Sequence, residues 1–252
     1  DNNNKEKFHE NYIEGRNAVL EAFRSGKTID KLFVLDGCQD GPIKSITREA
    51  RKHDAIINYV AKERLDQMSE TGKHQGVIAV SAAYEYAEVS DILENAERKG
   101  EPPFIIILDG IEDPHNLGAI IRTANQAGAH GIIIPKRRAV GLTPTVAKTS
   151  AGAINYTPVA KVTNISNTIK ELKEKGMWFV CADMGGTTMY DLNLTGPIGL
   201  VIGNEGDGVS KLVKENCDMT ASIPMVGDID SLNASVATEE TSSSDPLLFS
   251  LR

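Results

Sequence analysis

Apolar residues recur along this chain in short groups, and the order of the groups changes near residue 104. In the first part, Ala18, Val19, Ala22 and Phe23 fall at helical spacing and predict a helix over Gly15 to Phe23, while Lys31 to Leu35 predicts a strand. A second helix follows, with Ile43, Ile46, Ala50 and His53 on one face and Lys44, Arg48, Arg51 and Lys52 largely elsewhere. The β-branched runs Ile56 to Val60 and Gly76 to Val80 predict further strands. From Phe104 onward strand and helix patterns alternate. Phe104 to Leu108, Gly131 to Ile134, Trp178 to Ala182 and Ile198 to Ile202 read as strands; helices start at Asn116, span Ile165 to Lys175 and lie near Ser210. Such alternation predicts an α/β domain with a mostly parallel sheet covered on both faces.

The two patterns define the expected domains. Residues 1 to 11 are expected to be a disordered N-terminus, 12 to 80 a small α/β unit, and 104 to 252 a larger α/β domain. Between them, residues 81 to 103 lose the apolar rhythm, turn acidic and finish in Gly100-Glu101-Pro102-Pro103, which reads as a linker.

Composition narrows the function classes. The apolar runs are too short to span a bilayer, so no membrane span is expected. The first residues lack the apolar core of a secretory signal, so a cytoplasmic location is expected. Cys38, Cys181 and Cys217 are far apart and read as reduced thiols; neither they nor the five histidines show ligand spacing, so no metal is expected. A net charge of -8 argues against gripping nucleic acid by bulk electrostatics. The charge is uneven, however: the first 75 residues are nearly balanced and hold Arg48, Arg51 and Lys52 close together, so a local basic face can persist.

Three segments carry candidate chemistry. In Leu108-Asp109-Gly110-Ile111-Glu112-Asp113-Pro114-His115-Asn116-Leu117-Gly118-Ala119-Ile120-Ile121-Arg122, one Arg stands among small and apolar residues, which suggests a defined anionic partner or a side chain snorkelling over apolar neighbours. Asn116 follows Pro114 at a helix start, where the bland alternative is an N-cap. The second segment, Ile202-Gly203-Asn204-Glu205-Gly206-Asp207-Gly208, follows a predicted strand, the place where ligands bind parallel sheets. Its carboxylates suit a cation better than a phosphate, and the dinucleotide and nucleoside-triphosphate signatures are absent from it. The third, Ser231-Leu232-Asn233-Ala234-Ser235-Val236-Ala237 after Ile223-Pro224-Met225, sets polar residues at alternate positions, consistent also with a polar helix start.

In this order the three segments resemble the signature motifs of the SpoU (TrmH) family of RNA ribose 2′-O-methyltransferases in the SPOUT superfamily, most closely the type that modifies a guanosine of 23S ribosomal RNA. The N-terminal unit, through Gly15-Arg16-Asn17-Ala18-Val19 and His74-Gln75-Gly76-Val77, resembles that family's L30e-like substrate-binding domain. The resemblance implies a SPOUT domain with a trefoil knot, S-adenosylmethionine as methyl donor, ribosomal RNA as substrate and a homodimer burying the helix from Asn116 to Ala127. It further implies a cofactor site at Gly203, Asn204, Ile223, Met225 and Leu232, and catalytic residues Asn116, Arg122, Glu205, Ser231 and Asn233. Arg122 holds its proton too tightly to be an ordinary base, so a positioning and charge-stabilising role is expected. Two rivals stay open: an RNA-binding relative with weak or no methyl transfer, and a nucleotide-dependent α/β enzyme. The stretch from Thr238 to Arg252 departs from the family, replacing an apolar helix with Ser242-Ser243-Ser244-Asp245-Pro246, and predicts an irregular tail and weak cofactor binding.

Overall fold

The computed structural model describes residues 11–188 and 191–222. These fall into two compact units that divide between Glu85 and Tyr86, with Gly141–Thr145 joining the first.

The first unit is built on a four-stranded sheet of β1 (Asn11–Glu14), β2 (Ile29–Leu35), β3 (Ile56–Val60) and β4 (Val77–Ser81), in the order β1-β4-β2-β3. β4 runs antiparallel to β1 and β2, and β3 is a parallel edge. Helices α1 (Arg16–Arg24) and α2 (Gly41–Lys52) bury Val19, Phe23, Ile43 and Ile46 against Leu32 and Val34, while α3 (Lys62–Met68) covers the other face with Leu65 and Met68. The apolar stripe of α2 lies where the helical spacing puts it, and Asp40 caps the helix by accepting the Ile43 N–H at 3.1 Å. The two N-terminal segments singled out from sequence clasp each other: Gln75 accepts the Arg16 N–H through its side-chain oxygen at 3.0 Å and the Arg16 Nε–H through its carbonyl at 3.1 Å.

The second unit carries a six-stranded sheet in the order β10-β8-β9-β5-β6-β7, every neighbouring pair parallel. Its strands are β5 (Phe104–Asp109), β6 (Gly131–Pro135), β7 (Val159–Val162), β8 (Trp178–Thr188), β9 (Ile198–Gly203) and β10 (Met219–Ser222). The connecting helices are α4 (Val89–Lys99), α5 (Pro114–Gln126), α6 (Pro144–Thr149), α7 (Ile165–Glu174) and α8 (Lys211–Asn216). Strands buried on both faces explain the near-continuous isoleucine runs of β5 and β6. One face packs Ile105, Ile107, Ile133 and Phe179 with Ile92, Ile169 and Leu172 from α4 and α7. The knot implied by the resemblance draws on chain beyond Ser222, outside the described residues.

The stretch expected as a linker is different. Val89–Lys99 forms α4, capped at its end by Gly100 in the left-handed conformation (φ 68°), and belongs to the second unit. Val89, Ile92, Leu93 and Ala96 recur at helical spacing and pack on the core, whereas the acidic residues that hid the pattern occupy the other faces. Gly131 leaves room for the helix: a Cβ there would lie 2.5 Å from Ile92 Cγ1. Ahead of the helix, the Ala87 N–H donates to the Val159 carbonyl at 2.9 Å, so the edge strand β7 is already engaged by residue 87. Fully buried His130 fixes the far side. Its Nδ1 accepts the Phe104 N–H at 2.9 Å, which leaves Nε2 to donate to Glu101 at 2.9 Å.

Candidate functional site

In a parallel sheet ligands collect at the carboxyl ends of the strands, where successive crossovers leave in opposite directions. Here that point lies between β5 and β9, neighbours whose last residues Asp109 and Gly203 are in register. From β5 the chain moves to β6 and β7, and the later strands β8 and β9 return on the opposite side.

The loop after β9 is held by its own backbone and by the end of β5. The Asn204 N–H donates to the Gly208 carbonyl at 3.2 Å and the Gly208 N–H to the Asn204 carbonyl at 2.9 Å, closing a tight loop. Gly203 is required by this closure: a Cβ there would lie 2.1 Å from the Gly208 carbonyl carbon and 2.2 Å from the Val209 nitrogen. Asn204 ties the loop across the switch point, donating its side-chain N–H to the Gly110 carbonyl at 3.0 Å and accepting the Gly206 N–H at 2.8 Å. Asp109 accepts the Ser210 N–H at 2.8 Å. Asp109 and Gly110 are thus structural members of the site that sequence reasoning did not nominate; their place directly after the predicted strand Phe104 to Leu108 was the available signal.

Asn116 and Glu205, 89 residues apart in sequence, meet here, with the Asn116 side-chain N–H donating to Glu205 Oε1 at 2.7 Å. Asn116 is not the cap of α5. Asp113 performs that role, accepting the His115 N–H at 2.8 Å with Pro114 in the first turn, so the bland reading of Asn116 is set aside. α5 seats close to the chain after β6 through Gly118, where a Cβ would lie 1.8 Å from Thr149 Oγ1. Leu117, Ile120, Ile121 and Ala124 are buried within the unit and Arg122 is exposed. Six residues separate Asn116 from Arg122, which places them about 9 Å apart along the axis and on different sectors of the helix. Among the described residues Glu205 makes no ion pair with Arg122. Ser231, Asn233, Ile223, Met225 and Leu232 lie outside the described residues, as does the tail from Thr238 to Arg252.

The electrostatics of the two loops favour a cation. Residues 109–113 and 203–210 contribute the carboxylates Asp109, Glu112, Asp113, Glu205 and Asp207 and contain no Lys or Arg. Nearby, Lys214 donates to Asp183 at 2.5 Å, and this hydrogen bond raises the Lys214 pKa above its ordinary value. Beneath the loops Cys181 packs beside Cys217, whose thiol donates to the Val213 carbonyl at 3.4 Å; the proximity of the two thiols lowers the Cys181 pKa and raises that of Cys217. Among the described residues no group of three or more His, Cys, Asp or Glu could hold a metal, and no helix is long and apolar enough to cross a membrane.

Comparison with known proteins aligns these two units with known domains. The profile described as SpoU rRNA Methylase family matches residues 103–239, and the profile for RNA 2′-O ribose methyltransferase substrate binding matches residues 12–87. A Bacillus subtilis (strain 168) protein named as a TrmH family tRNA/rRNA methyltransferase is 51% identical over 228 residues, covering 90% of this chain and 91% of its own. A similarly named Staphylococcus saprophyticus protein is 48% identical over 226 residues, covering 89% of this chain and 90% of its own. Among solved structures, the SpoU methyltransferase AviRb of Streptomyces viridochromogenes in complex with AdoMet superposes with a TM-score of 0.58 at 24% identity, covering 92% of this chain and 88% of its own. At that identity the likeness concerns the fold.

Proposed function

The chain belongs to the SpoU rRNA Methylase family, and from that premise we propose that it transfers a methyl group from S-adenosylmethionine to a ribose 2′-hydroxyl of RNA, with a guanosine of 23S ribosomal RNA as the substrate. The observation that carries the site assignment is the Asn116–Glu205 hydrogen bond at the β5/β9 switch point, which joins two of the motifs in a loop pair whose own charged residues are all carboxylates.

The donor set fits the cofactor's charge, because a sulfonium cation meets acidic side chains and side-chain-free backbone there, where a phosphate would meet repulsion. When bound, S-adenosylmethionine supplies an electrophilic methyl group. Backbone at Gly203 and Asn204 would hold it, together with Ile223, Met225 and Leu232. Around the ribose we assign Asn116, Arg122, Glu205, Ser231 and Asn233. With one carboxylate oxygen of Glu205 fixed by Asn116, its other oxygen is an acceptor available to the 2′-hydroxyl. Arg122 serves as a positioning and charge-stabilising cation, since a guanidinium does not release its proton in this range. Alignment of the attacking oxygen with the methyl carbon carries much of the rate. Two copies of the chain are proposed to pair through this domain.

The test is equilibrium titration of the full chain with S-adenosylmethionine, followed by methyl incorporation into 23S ribosomal RNA fragments and into transfer RNA. Label on a guanosine 2′-oxygen of the ribosomal fragment is the expected result. Label in transfer RNA alone would overturn the substrate assignment, and RNA binding without transfer would overturn the enzyme assignment in favour of a binding protein.

A further inference from the structure

The first unit has a groove between α2 and the end of β3, with a volume of about 490 Å³. That lies within the range of roughly 300–1,000 Å³ typical of ligand pockets. Its floor is formed by Ile43 and Thr47, which are buried, and its rim by Tyr59, Lys44, Arg51 and Asp36. Tyr59 is 52% exposed although it sits in a strand. Its position two residues after Ile57, which packs in the α1/α2 core, puts it on the face of the sheet that α1 and α2 cover, at the groove beside α2.

The α2 side of this groove is basic. In a protein of net charge -8, Lys44 and Arg51 are exposed on α2, and among the described residues neither has an ion-pair partner. Arg48 on the same helix is likewise without an ion pair among the described residues, whereas Arg16 pairs with Asp40 at 2.6 Å and Lys52 lies 3.9 Å from Glu49. A half-exposed aromatic ring next to two unpaired cations is the combination that binds single-stranded nucleic acid, the ring stacking on a base and the cations contacting phosphates.

We propose that this groove is a subsite for one unstacked nucleotide of the RNA substrate, with Tyr59 stacking on the base and Lys44 and Arg51 meeting the flanking phosphates. The proposal rests on the reading of the chain as an RNA methyltransferase. Asp36 gives the groove a direction: its carboxylate repels phosphate and accepts hydrogen bonds from a base edge, so the RNA backbone follows the Lys44 and Arg51 side. An A-form duplex keeps its bases stacked and offers none to the ring, so the groove selects loops, bulges and single strands.

The experiment uses the full chain and fluorescence anisotropy with a labelled single-stranded RNA of about 12 nucleotides, and with its blunt duplex, at several salt concentrations. Tyr59→Ala is expected to weaken single-strand binding about ten-fold or more while leaving duplex binding unchanged, and Tyr59→Phe to bind as wild type does. Arg51→Ala and Lys44→Ala, exposed helix positions that do not threaten folding, are each expected to reduce the salt slope by about 0.7 to 1. Equal binding by Tyr59→Ala, or an equal loss on the duplex, overturns the proposal. So does displacement of the RNA by free guanosine monophosphate with no dependence on Tyr59, or Tyr59-dependent binding of polyglutamate in place of RNA. Methyl incorporation separates this from the parent reading: a wild-type chain that methylates RNA, beside a Tyr59→Ala chain with unchanged affinity, removes the groove alone. A wild-type chain that neither binds RNA nor transfers methyl removes both.

Discussion

Gly203→Ala isolates the packing of the proposed cofactor loop. The added Cβ would lie 2.1 Å from the Gly208 carbonyl carbon, 2.2 Å from the Val209 nitrogen and 2.3 Å from the Gly208 oxygen. Ordinary carbon contact is about 3.5 Å, so a shift of more than about 1 Å is required. All three neighbours are backbone, and no rotamer change can relieve them. The loop must open, straining the hydrogen-bond pair between Asn204 and Gly208. Two such bonds at about 0.5–1.5 kcal/mol each, with an overpacking cost of about 1–3 kcal/mol, give a loss of about 2–6 kcal/mol. Thermal unfolding should therefore move down by roughly 5 °C or more, as read by differential scanning fluorimetry. Affinity for S-adenosylmethionine, measured by calorimetry, should fall about ten-fold or more, because a displacement of that size misaligns the contacting backbone. Gly206→Ala provides the control. It makes the same chemical change in the same loop, but its Cβ meets only Asn204 Oδ1 at 3.6 Å, and it should stay within about 0.5 kcal/mol of wild type. If Gly203→Ala melts and binds like Gly206→Ala, the loop is not the rigid element described and its assignment to the cofactor fails.

Arg122→Ala should reduce methyl transfer by about 10²-fold or more while leaving S-adenosylmethionine affinity within a few-fold, and a wild-type rate in single-turnover assays would remove Arg122 from the site. Glu14 predicts a pH dependence in the first unit. Burial opposes its ionisation, but hydrogen bonds from Ser69, Thr71 and the Glu70 N–H outweigh that and hold its pKa below the ordinary value. Its contribution is present above about pH 4.3 and is lost as pH falls through the lowered folded-state pKa, so the melting difference between wild type and Glu14→Gln should be large at neutral pH and shrink in acid. A constant difference would refute this. Thiol titration of the native chain should find Cys38 reacting first, because Cys181 is buried and the Cys217 thiol donates to the Val213 carbonyl at 3.4 Å; simultaneous reaction of all three would contradict the packing.

What sequence could reveal follows from which interactions are local. The isoleucine runs of β5 and β6 announce strands buried on both faces, and the apolar stripe of α2 announces its buried side, because each depends on periodicity alone. The motif order likewise pointed to Gly203, Asn204 and Glu205 as one loop. The partner of Glu205 was not readable, since the Asn116 contact exists only after β5 and β9 come into register. α4 was missed for another reason. Its apolar stripe is narrow, and Glu88, Asp91, Glu94 and Glu97 gave the segment the composition of a solvated connector. Short edge strands such as β1 and β10 depend on the neighbour that they pair with and carry little signal of their own.

The docking of α4 bears on where the chain can be cut. A proteolytic or genetic boundary at Pro103, suggested by the paired prolines, would strip Ile92 from its seat over Gly131 and bare Ile105, Ile133 and Phe179 to water. Such a fragment would present a sticky apolar face and self-associate in a way unrelated to any native pairing. A boundary ahead of Tyr86 keeps the helix, the Ala87 contact with β7 and the His130 anchor in one piece. Limited proteolysis should accordingly spare Val89–Lys99, and comparisons of an isolated catalytic unit with the whole protein are meaningful only for fragments that begin on the N-terminal side of this helix.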